Sequence, residues 1–280
     1  MPGEEPGRRT GGHDGQGVAM SIRVLGTGSA DGWPNPFCDC ATCTIERAAG
    51  RVRAQTAALV ETFLLDCGPE TPRTAERAGA SLRDVRHALL THDHPDHTAP
   101  AFLLYRSWVT DERHPLDVVG PPSVVGQARM WLAPDTRVRF HEIRPGDELD
   151  LAGGRVRALA ANHTPGAVLF DVATPTSRVL YATDTGPLPR SSVEAAAGAA
   201  YDVVLLEETF GDFTGHGTAH LDLPAFEEQV RRLHAVGAVT DGTNLVAVHL
   251  SHHNPPTGEL ARRLALVGAS VVDDGTLLRD

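Results

Sequence analysis

The chain has 280 residues and a formal net charge of −11. Hydrophobic residues make up 41% and aromatic residues 5% of it, a composition that is typical of a folded globular protein and excludes a disordered one. The sequence pI is about 5.6, and no run of basic residues offsets this acidity. An acidic surface repels duplex DNA and long RNA, so the composition predicts no nucleic-acid partner.

The N-terminal segment 1–19 is rich in Gly, Pro and charged residues and is predicted to be a disordered leader. It has neither the apolar core nor the cleavage site of a secretory signal, and Met20 is an alternative start. Residues 20–280 contain no linker and are predicted to form a single domain. No apolar run approaches the length of a membrane span, so we expect a cytoplasmic protein without a membrane partner.

The apolar periodicity predicts strands and helices that are mixed along the whole chain. In chain order, the predicted strands are 21–25, 57–60, 63–65, 87–90, 138–143, 155–159, 167–172, 178–182, 201–207, 245–250 and a final strand at 269–272. The predicted helices are 71–80, 100–108, 123–131, 223–236 and 257–267. Because each half contributes hairpins and covering helices, we predict an α/β fold with four layers, helix–sheet–sheet–helix (αββα), rather than a doubly wound parallel sheet.

The strongest chemical signal is the sequence THDHPDH at 91–97, directly after a predicted buried strand. It contains His92, His94, Asp96 and His97, and Pro95 with the density of polar residues predicts a loop. Imidazole and carboxylate are ligands that suit zinc, manganese or iron. A single loop histidine is usually just solvated, but this spacing of three favours a metal site.

Three further residues support that interpretation, since each is a lone polar residue at the end of an apolar strand. They are His163, Asp184 and His249. Each one alone is equally well explained as a capped loop residue or a core histidine. Together with 91–97, they form the ligand set of a binuclear site.

This series, H-x-H-x-D-H followed by His, Asp and His, resembles the metallo-β-lactamase superfamily from about residue 21 to the C-terminus. The resemblance implies that Asp66, in the sequence LLDCG, orients a metal ligand, and that Asp96 and Asp184 take part in catalysis through the metals. The ligand set it implies is His92, His94 and His163 for one metal, Asp96, His97 and His249 for the other, and Asp184 as the bridge. Five neutral imidazoles and two carboxylates leave two divalent ions with net positive charge, which attracts an anionic substrate.

A second cluster, Cys38, Cys40 and Cys43, has the spacing C-x-C-x-x-C. In a reducing compartment such a cluster favours metal over disulfide, and a tetrahedral structural zinc needs a fourth ligand. His252 is the candidate, because it lies three residues after His249, and His253 is the alternative. Three reduced, unliganded cysteines remain the other interpretation.

Together with the upstream turn GTGSADGWP, the cysteine cluster resembles the phosphoribosyl cyclic phosphodiesterase (PhnP) family. That resemblance implies hydrolysis of a small cyclic phosphodiester of the 5-phosphoribosyl 1,2-cyclic phosphate kind, two active-site Mn or Zn ions and one structural Zn. It also implies that His220, in the sequence AHLDL, donates a proton near the phosphate, with His216 as second candidate and a solvated loop histidine as the plain alternative. The acidic segment 207–215 departs from this expectation, and no residues for a 5-phosphate are identified.

Other functions share parts of the pattern. A thioester or lactone hydrolase shares the histidine motif but lacks the three cysteines. A tRNA-processing nuclease shares the ligand order, but the acidic balance and the lack of a basic arm disfavour it. A PqqB-like biosynthetic protein shares the glycine turn and the cysteines, although its ligands are altered. A metal-binding protein without turnover is the last alternative.

The expected partner is a small anionic phosphodiester, and a homodimer is one option for assembly.

Overall fold

The computed structural model describes residues 22–109, 114–132 and 137–278, so the predicted leader at 1–19 and Met20 lie outside the described residues. The strands are β1 (Ile22–Gly26), β2 (Ala57–Val60), β3 (Phe63–Leu65), β4 (His87–Leu89), β5 (Leu116–Gly120), β6 (Val138–Glu142), β7 (Glu148–Leu151), β8 (Gly154–Ala160), β9 (Val168–Ala173), β10 (Arg178–Ala182), β11 (Val203–Glu207), β12 (Asn244–Val248), β13 (Ala269–Ser270) and β14 (Leu277–Leu278). The helices are α1 (Ala41–Ala48), α2 (Thr71–Arg77), α3 (Ala101–Ser107), α4 (Pro122–Arg129), α5 (Arg190–Ala196), α6 (Leu223–Ala235) and α7 (Thr257–Leu264).

The strands form two seven-stranded sheets that are built alike. The first has the order β14-β1-β2-β3-β4-β5-β6 and the second the order β13-β12-β11-β10-β9-β8-β7. In the first sheet, neighbouring strands from β14 through β3 are antiparallel, and neighbouring strands from β3 through β6 are parallel. In the second, β7 to β10 pair antiparallel and β10 to β13 pair parallel. Apart from β14, which comes from the C-terminal end of the described chain and joins the first sheet, each half contributes one sheet, as the sequence predicts.

Three apolar clusters hold the layers together. The inner cluster lies between the two sheets and includes Phe63, Phe170 and Tyr181, all fully buried. A second cluster joins the first sheet to α2, α3 and α4, for example through Val124. A third joins the other sheet to α5, α6 and α7, for example through Phe226. Burial on both faces of both sheets confirms the predicted four-layer αββα architecture.

Several elements differ from the sequence prediction. Helix α1 lies within the cysteine segment, where its few apolar residues gave no periodic signal, and the Cys40 side chain caps its N-terminus by accepting from the Cys43 amide. Strand β7 and helix α5 were also not predicted. Strand β7 is half-exposed and acidic, and α5 is short, with Val193 as its one large apolar residue, so neither has a clear apolar pattern. The predicted final strand at 269–272 was wrong in part, because β13 has only two residues and the true last strand, β14, pairs with β1.

The C-terminal ends of β3, β4, β8, β10, β11 and β12 meet at one edge of the paired sheets. Three residues within two positions of the ends of these strands have positive φ although they are not glycine: Asp66 (57°), Asp184 (51°) and His249 (60°). Such backbone strain is uncommon and concentrates at functional sites. This edge is therefore where the candidate site is found. No helix in the described part of the chain has the length and apolar character needed to cross a membrane.

Candidate metal centre

The seven predicted active-site ligands lie together at the common edge of the sheets. These residues form two ligand groups that share Asp184. Within each group, the ligand atoms all lie within 4.8 Å of one another. The groups are His92, His94, His163 and Asp184, and Asp96, His97, Asp184 and His249. This is the partition that the sequence resemblance implies.

The Asp184 carboxylate divides the site into two halves. Its Oδ2 atom lies 3.5 Å from His92 Nε2 and 3.6 Å from His163 Nε2. Its Oδ1 atom lies 3.2 Å from His97 Nε2 and 3.1 Å from His249 Nε2. Because each oxygen faces a different pair of imidazoles, the carboxylate has the position required of a bridge between two cations.

The orientation of the imidazoles fits metal ligation. The buried Nε2 atoms of His92, His97 and His249 have no hydrogen-bond partner of suitable geometry among the described residues, although carboxylate oxygens are near. Leaving a buried polar atom unpaired is costly. A divalent cation bound in each half would give all three nitrogen atoms a partner. The residues present therefore fit the ions that the fold implies.

The opposite ring nitrogens are held by hydrogen bonds. His97 Nδ1 donates to Asp66 Oδ2 over 2.7 Å, and His163 Nδ1 donates to the Ala219 carbonyl over 3.1 Å. His249 Nδ1 lies 2.9 Å from Thr209 Oγ1. A proton on Nδ1 leaves the Nε2 lone pair free to bind a metal. Asp66 thus contacts a predicted ligand in the manner that the sequence resemblance implies.

Local packing brings the LLDCG loop to the histidine motif. The Asp66 carboxylate also accepts from the amide and hydroxyl of Thr91. A Cβ at Gly68 would lie 1.9 Å from the Asp96 carbonyl oxygen, so only glycine allows this approach. The two loops are therefore fixed relative to each other before any ligand binds.

The charges of the site favour cations. Burial would raise the pKa of Asp96 and Asp184, but the neighbouring imidazoles hold both well below their usual range, so both remain ionised. Burial and the nearby His97 lower the pKa of His92 to about 2, which keeps that ring neutral. Despite burial, the carboxylates of Asp184 and Asp66 raise the pKa of His97 well above its usual value. A metal ion would displace that proton.

The cysteine cluster forms a second, separate site. The ligand atoms of Cys38, Cys40, Cys43 and His252 lie within 4.8 Å of one another, and all three cysteines are free. His252 Nδ1 is 3.3 Å from Cys38 Sγ and 3.7 Å from Cys40 Sγ. Of the two histidines considered from sequence, His252 is therefore the one placed on the cluster. Three sulfurs and one nitrogen match the donor set of structural zinc.

His220 lies beside the active-site ligands. Its ring stacks on His249 with centroids 5.3 Å apart, and its Nδ1 donates to Glu207 Oε2 over 2.7 Å. Burial lowers the pKa of His220, but the Glu207 carboxylate more than offsets this and raises the pKa to about 9. His216, the second candidate, instead stacks on Phe210, and its Nε2 atom lies 3.4 Å from Asp222 Oδ2.

Glu207 is a site residue that was not predicted from the sequence. This buried carboxylate accepts from His220, from Thr209 Oγ1 (2.8 Å) and from the Leu221 amide (3.0 Å). It thereby connects His220 to the Thr209 hydroxyl that contacts His249. The available signal was an acidic residue closing the apolar run VVLLE, the same signal that identified Asp184.

Known proteins are similar to this chain in sequence and in fold. Residues 61–253 match the family model described as "Beta-lactamase superfamily domain". A Ribonuclease Z from Mycobacterium marinum is 28% identical over 255 residues, which cover 82% of this chain and 86% of the relative. A Ribonuclease Z from Mycobacterium sp. strain KMS is 30% identical over 204 residues, 65% of this chain and 66% of the relative.

Two solved structures share the fold. Zn²⁺-bound PqqB from Methylobacterium extorquens has a TM-score of 0.76 at 19% identity, covering 93% of this chain and 100% of PqqB. A diphosphatase from the PhnP family has a TM-score of 0.73 at 20% identity, covering 93% and 98%. The fold and the histidine–aspartate site define a metal-dependent hydrolase. The chain belongs to the metallo-β-lactamase superfamily.

Proposed function

We propose that the protein opens a small cyclic phosphodiester, with 5-phosphoribosyl 1,2-cyclic phosphate as the reference substrate, at a binuclear centre of manganese or zinc. The chain is a metal-dependent phosphodiester hydrolase, as its family and its curated relatives indicate. The observation that carries the proposal is the Asp184 carboxylate, which faces imidazoles of both ligand groups.

In this proposal, each side chain has one role. The metal ligands are His92, His94 and His163 in one half, Asp96, His97 and His249 in the other, and Asp184 between them, while Cys38, Cys40, Cys43 and His252 hold a structural zinc. Two divalent ions bound there would supply a nucleophilic water near neutral pH and neutralise the phosphate oxygens. Asp66 is not proposed as a metal ligand; it orients His97 through the hydrogen bond from His97 Nδ1.

His220 is proposed as the proton donor to the leaving alkoxide. Its Nδ1 is occupied by Glu207, so Nε2 is the atom that can face a substrate. A pKa raised to about 9 keeps the ring protonated at neutral pH, which a general acid requires. Glu207 fixes the ring and sustains that charge.

An RNA phosphodiester is the second candidate substrate, favoured by the relatives named Ribonuclease Z. The net charge of −11 disfavours a polyanion of that size. A thioester or lactone and a PqqB-like role stay as alternatives, the latter supported only by likeness of fold.

A substrate panel tests the proposal. Manganese-loaded protein would be assayed on 5-phosphoribosyl 1,2-cyclic phosphate, 2′,3′-cyclic nucleotides, a single-stranded RNA, a thioester and a lactone. We expect kcat/KM to be highest on a cyclic phosphodiester. Preference for the RNA would replace the proposed substrate, and turnover of the thioester or lactone alone would refute phosphodiester hydrolysis.

Metal content provides the first quantitative prediction. Protein purified without chelator is expected to contain two active-site metals and one zinc per chain, because the two groups that share Asp184 and the cysteine group each bring four ligand atoms together. Elemental analysis before and after manganese reconstitution measures this ratio. At most one metal per chain after reconstitution would contradict the binuclear site.

A second prediction concerns the cysteines. The Cys40→Ser variant is expected to lose the zinc and melt at lower temperature, while its active-site metals still bind. Structural zinc contributes on the order of 10 kcal/mol in small zinc-dependent folds, and a domain with three apolar clusters depends on it less.

Elemental analysis and thermal melts of the Cys40→Ser variant measure these effects. The matched control is Cys67→Ala, which alters a buried free cysteine outside the cluster and should retain zinc. Unchanged zinc content in the Cys40→Ser protein would refute the assignment.

A further inference from the structure

Four rings form a continuous surface that leads away from His220, called here the aromatic row: Phe210, Phe213, His216 and His253. Phe210 stacks on His216 with centroids 4.3 Å apart and planes 12° apart. Phe213 stacks on His253 at 4.9 Å and 19°. Phe210 lies 5.3 Å from His253 and 5.8 Å from His220. The row therefore begins at the proposed proton donor.

The aromatic row is accessible to a ligand. Phe213 is 46% exposed, His253 is exposed, and Phe210 is partly buried. Large aromatic side chains usually hide most of their surface. A stacked and exposed Phe–His pair beside a catalytic centre thus offers an uncovered π face.

The aromatic row is held rigidly by its two loops. A Cβ at Gly211 would lie 2.7 Å from the Asn254 Cα atom, and Gly211 has a φ of +53°. Asn254 Nδ2 donates to the Thr209 carbonyl over 3.2 Å, and Ser251 Oγ donates to the same carbonyl over 2.5 Å. The loops after β11 and β12 are therefore bonded to each other. A surface fixed in advance loses little entropy when a ligand stacks on it.

The charges around the aromatic row favour a neutral ring over a second phosphate. The segment 207–222 contains no Lys or Arg. At its edge, Arg263 is paired with Asp212 over 2.8 Å. The carboxylates Glu207 and Glu208 lie buried behind it. The cationic ring of His220 is already paired with Glu207, so an additional anionic group would find no unpaired Lys or Arg in this segment.

We propose that the aromatic row is the subsite for the leaving-group side of the substrate and that Phe210 and Phe213 select for a planar aromatic ring there. The proposal rests on the proposed function, because His220 must reach the departing oxygen and the group bearing that oxygen then lies over the row. Water adds its oxygen to phosphorus and keeps one hydrogen, the P–O bond to the alkoxide breaks, and the His220 proton ends on the alkoxide oxygen. The second hydrogen of the water is released as a proton to solvent, from which His220 is protonated again. Among small cyclic phosphodiesters, those whose sugar carries a base or aryl ring are therefore preferred over the reference substrate 5-phosphoribosyl 1,2-cyclic phosphate, whose sugar carries a second phosphate instead.

Two substrates that differ only in the ring test this proposal: 2′,3′-cyclic AMP and methyl β-D-riboside 2,3-cyclic phosphate. We expect kcat/KM to favour the first by at least about fivefold, the lower limit for one base–aromatic stacking contact. Phe213→Ala and Phe210→Ala should reduce that ratio towards one, mainly through KM, since stacking stabilises ground and transition states alike. Phe213→Trp should preserve it. The phenyl riboside cyclic phosphate distinguishes any aryl ring from a nucleobase.

The matched control is Trp131→Ala. Trp131 is also 46% exposed, but it follows α4 at the edge opposite the site, since α4 connects the parallel strands β5 and β6. This variant should keep the wild-type ratio. Equal kcat/KM on both substrates, or equal losses on both in the Phe variants, would overturn the aromatic-row proposal alone. No turnover of any phosphodiester would refute the proposed function and this subsite with it.

Discussion

Replacing Asp184 with Asn should empty both halves of the active site together and abolish activity. Its Oδ1 and Oδ2 atoms face different imidazole pairs, so no other carboxylate can substitute for both contacts. Removing a residue that only hydrogen-bonds to a metal ligand costs about 10–100-fold in metal affinity or activity. Removing Asp184, the ligand shared by both halves, should cause a larger loss. Elemental analysis and kcat/KM with saturating manganese measure the two effects.

A stability measurement separates loss of metal from loss of a buried charge. The wild-type protein should melt at lower temperature in chelator, because bound metals stabilise the folded state. The Asp184→Asn protein retains only the structural zinc, so chelator should lower its melting temperature by less than that of the wild type. Asp171→Asn is the control, since Asp171 is equally buried at 3% exposure but pairs with Arg157 and Arg178. If the Asp184→Asn protein retained both metals, the assignment of Asp184 as the bridging ligand would be wrong.

Much of the fold and the ligand set could be predicted from sequence, for a physical reason. A lone His or Asp that ends an apolar strand is rare enough to stand out, as His163, Asp184 and His249 do. Parallel strands then bring their C-terminal ends to one edge. The hairpin of β2 and β3 was predicted with the observed bounds, because two apolar runs flank a short polar turn.

What could not be predicted depends on contacts between loops. Glu207 gains its role only because the chain returns at His220, thirteen residues later, and donates a hydrogen bond to it. Phe210 meets His253 because two strand-end loops pack against each other. Strand β14 forms because the C-terminal segment returns to β1. Periodicity records none of these long-range contacts, so local patterns gave no signal for them.

Replacing His220 with Ala should slow an alkyl cyclic phosphodiester far more than bis(p-nitrophenyl) phosphate. The departing sugar oxygen is a poor leaving group that needs a proton, whereas nitrophenolate leaves almost without one. General acid catalysis is typically worth about 10²–10⁴-fold, so the two losses should differ by at least about 100-fold. Steady-state kinetics on both substrates, with manganese saturating, measure the difference.

Metal content identifies the reason for any loss. His220 is paired with Glu207 and stacks on His249, so its ring is adjacent to a ligand without being proposed as one. The His220→Ala protein should therefore keep its full metal complement, as should His234→Ala, an exposed histidine on α6 that serves as the control. Equal losses on both substrates would make His220 a binding residue. Loss of metal would make it a ligand, grouped with Asp184, Glu207 and His249, and another group would then have to protonate the leaving oxygen.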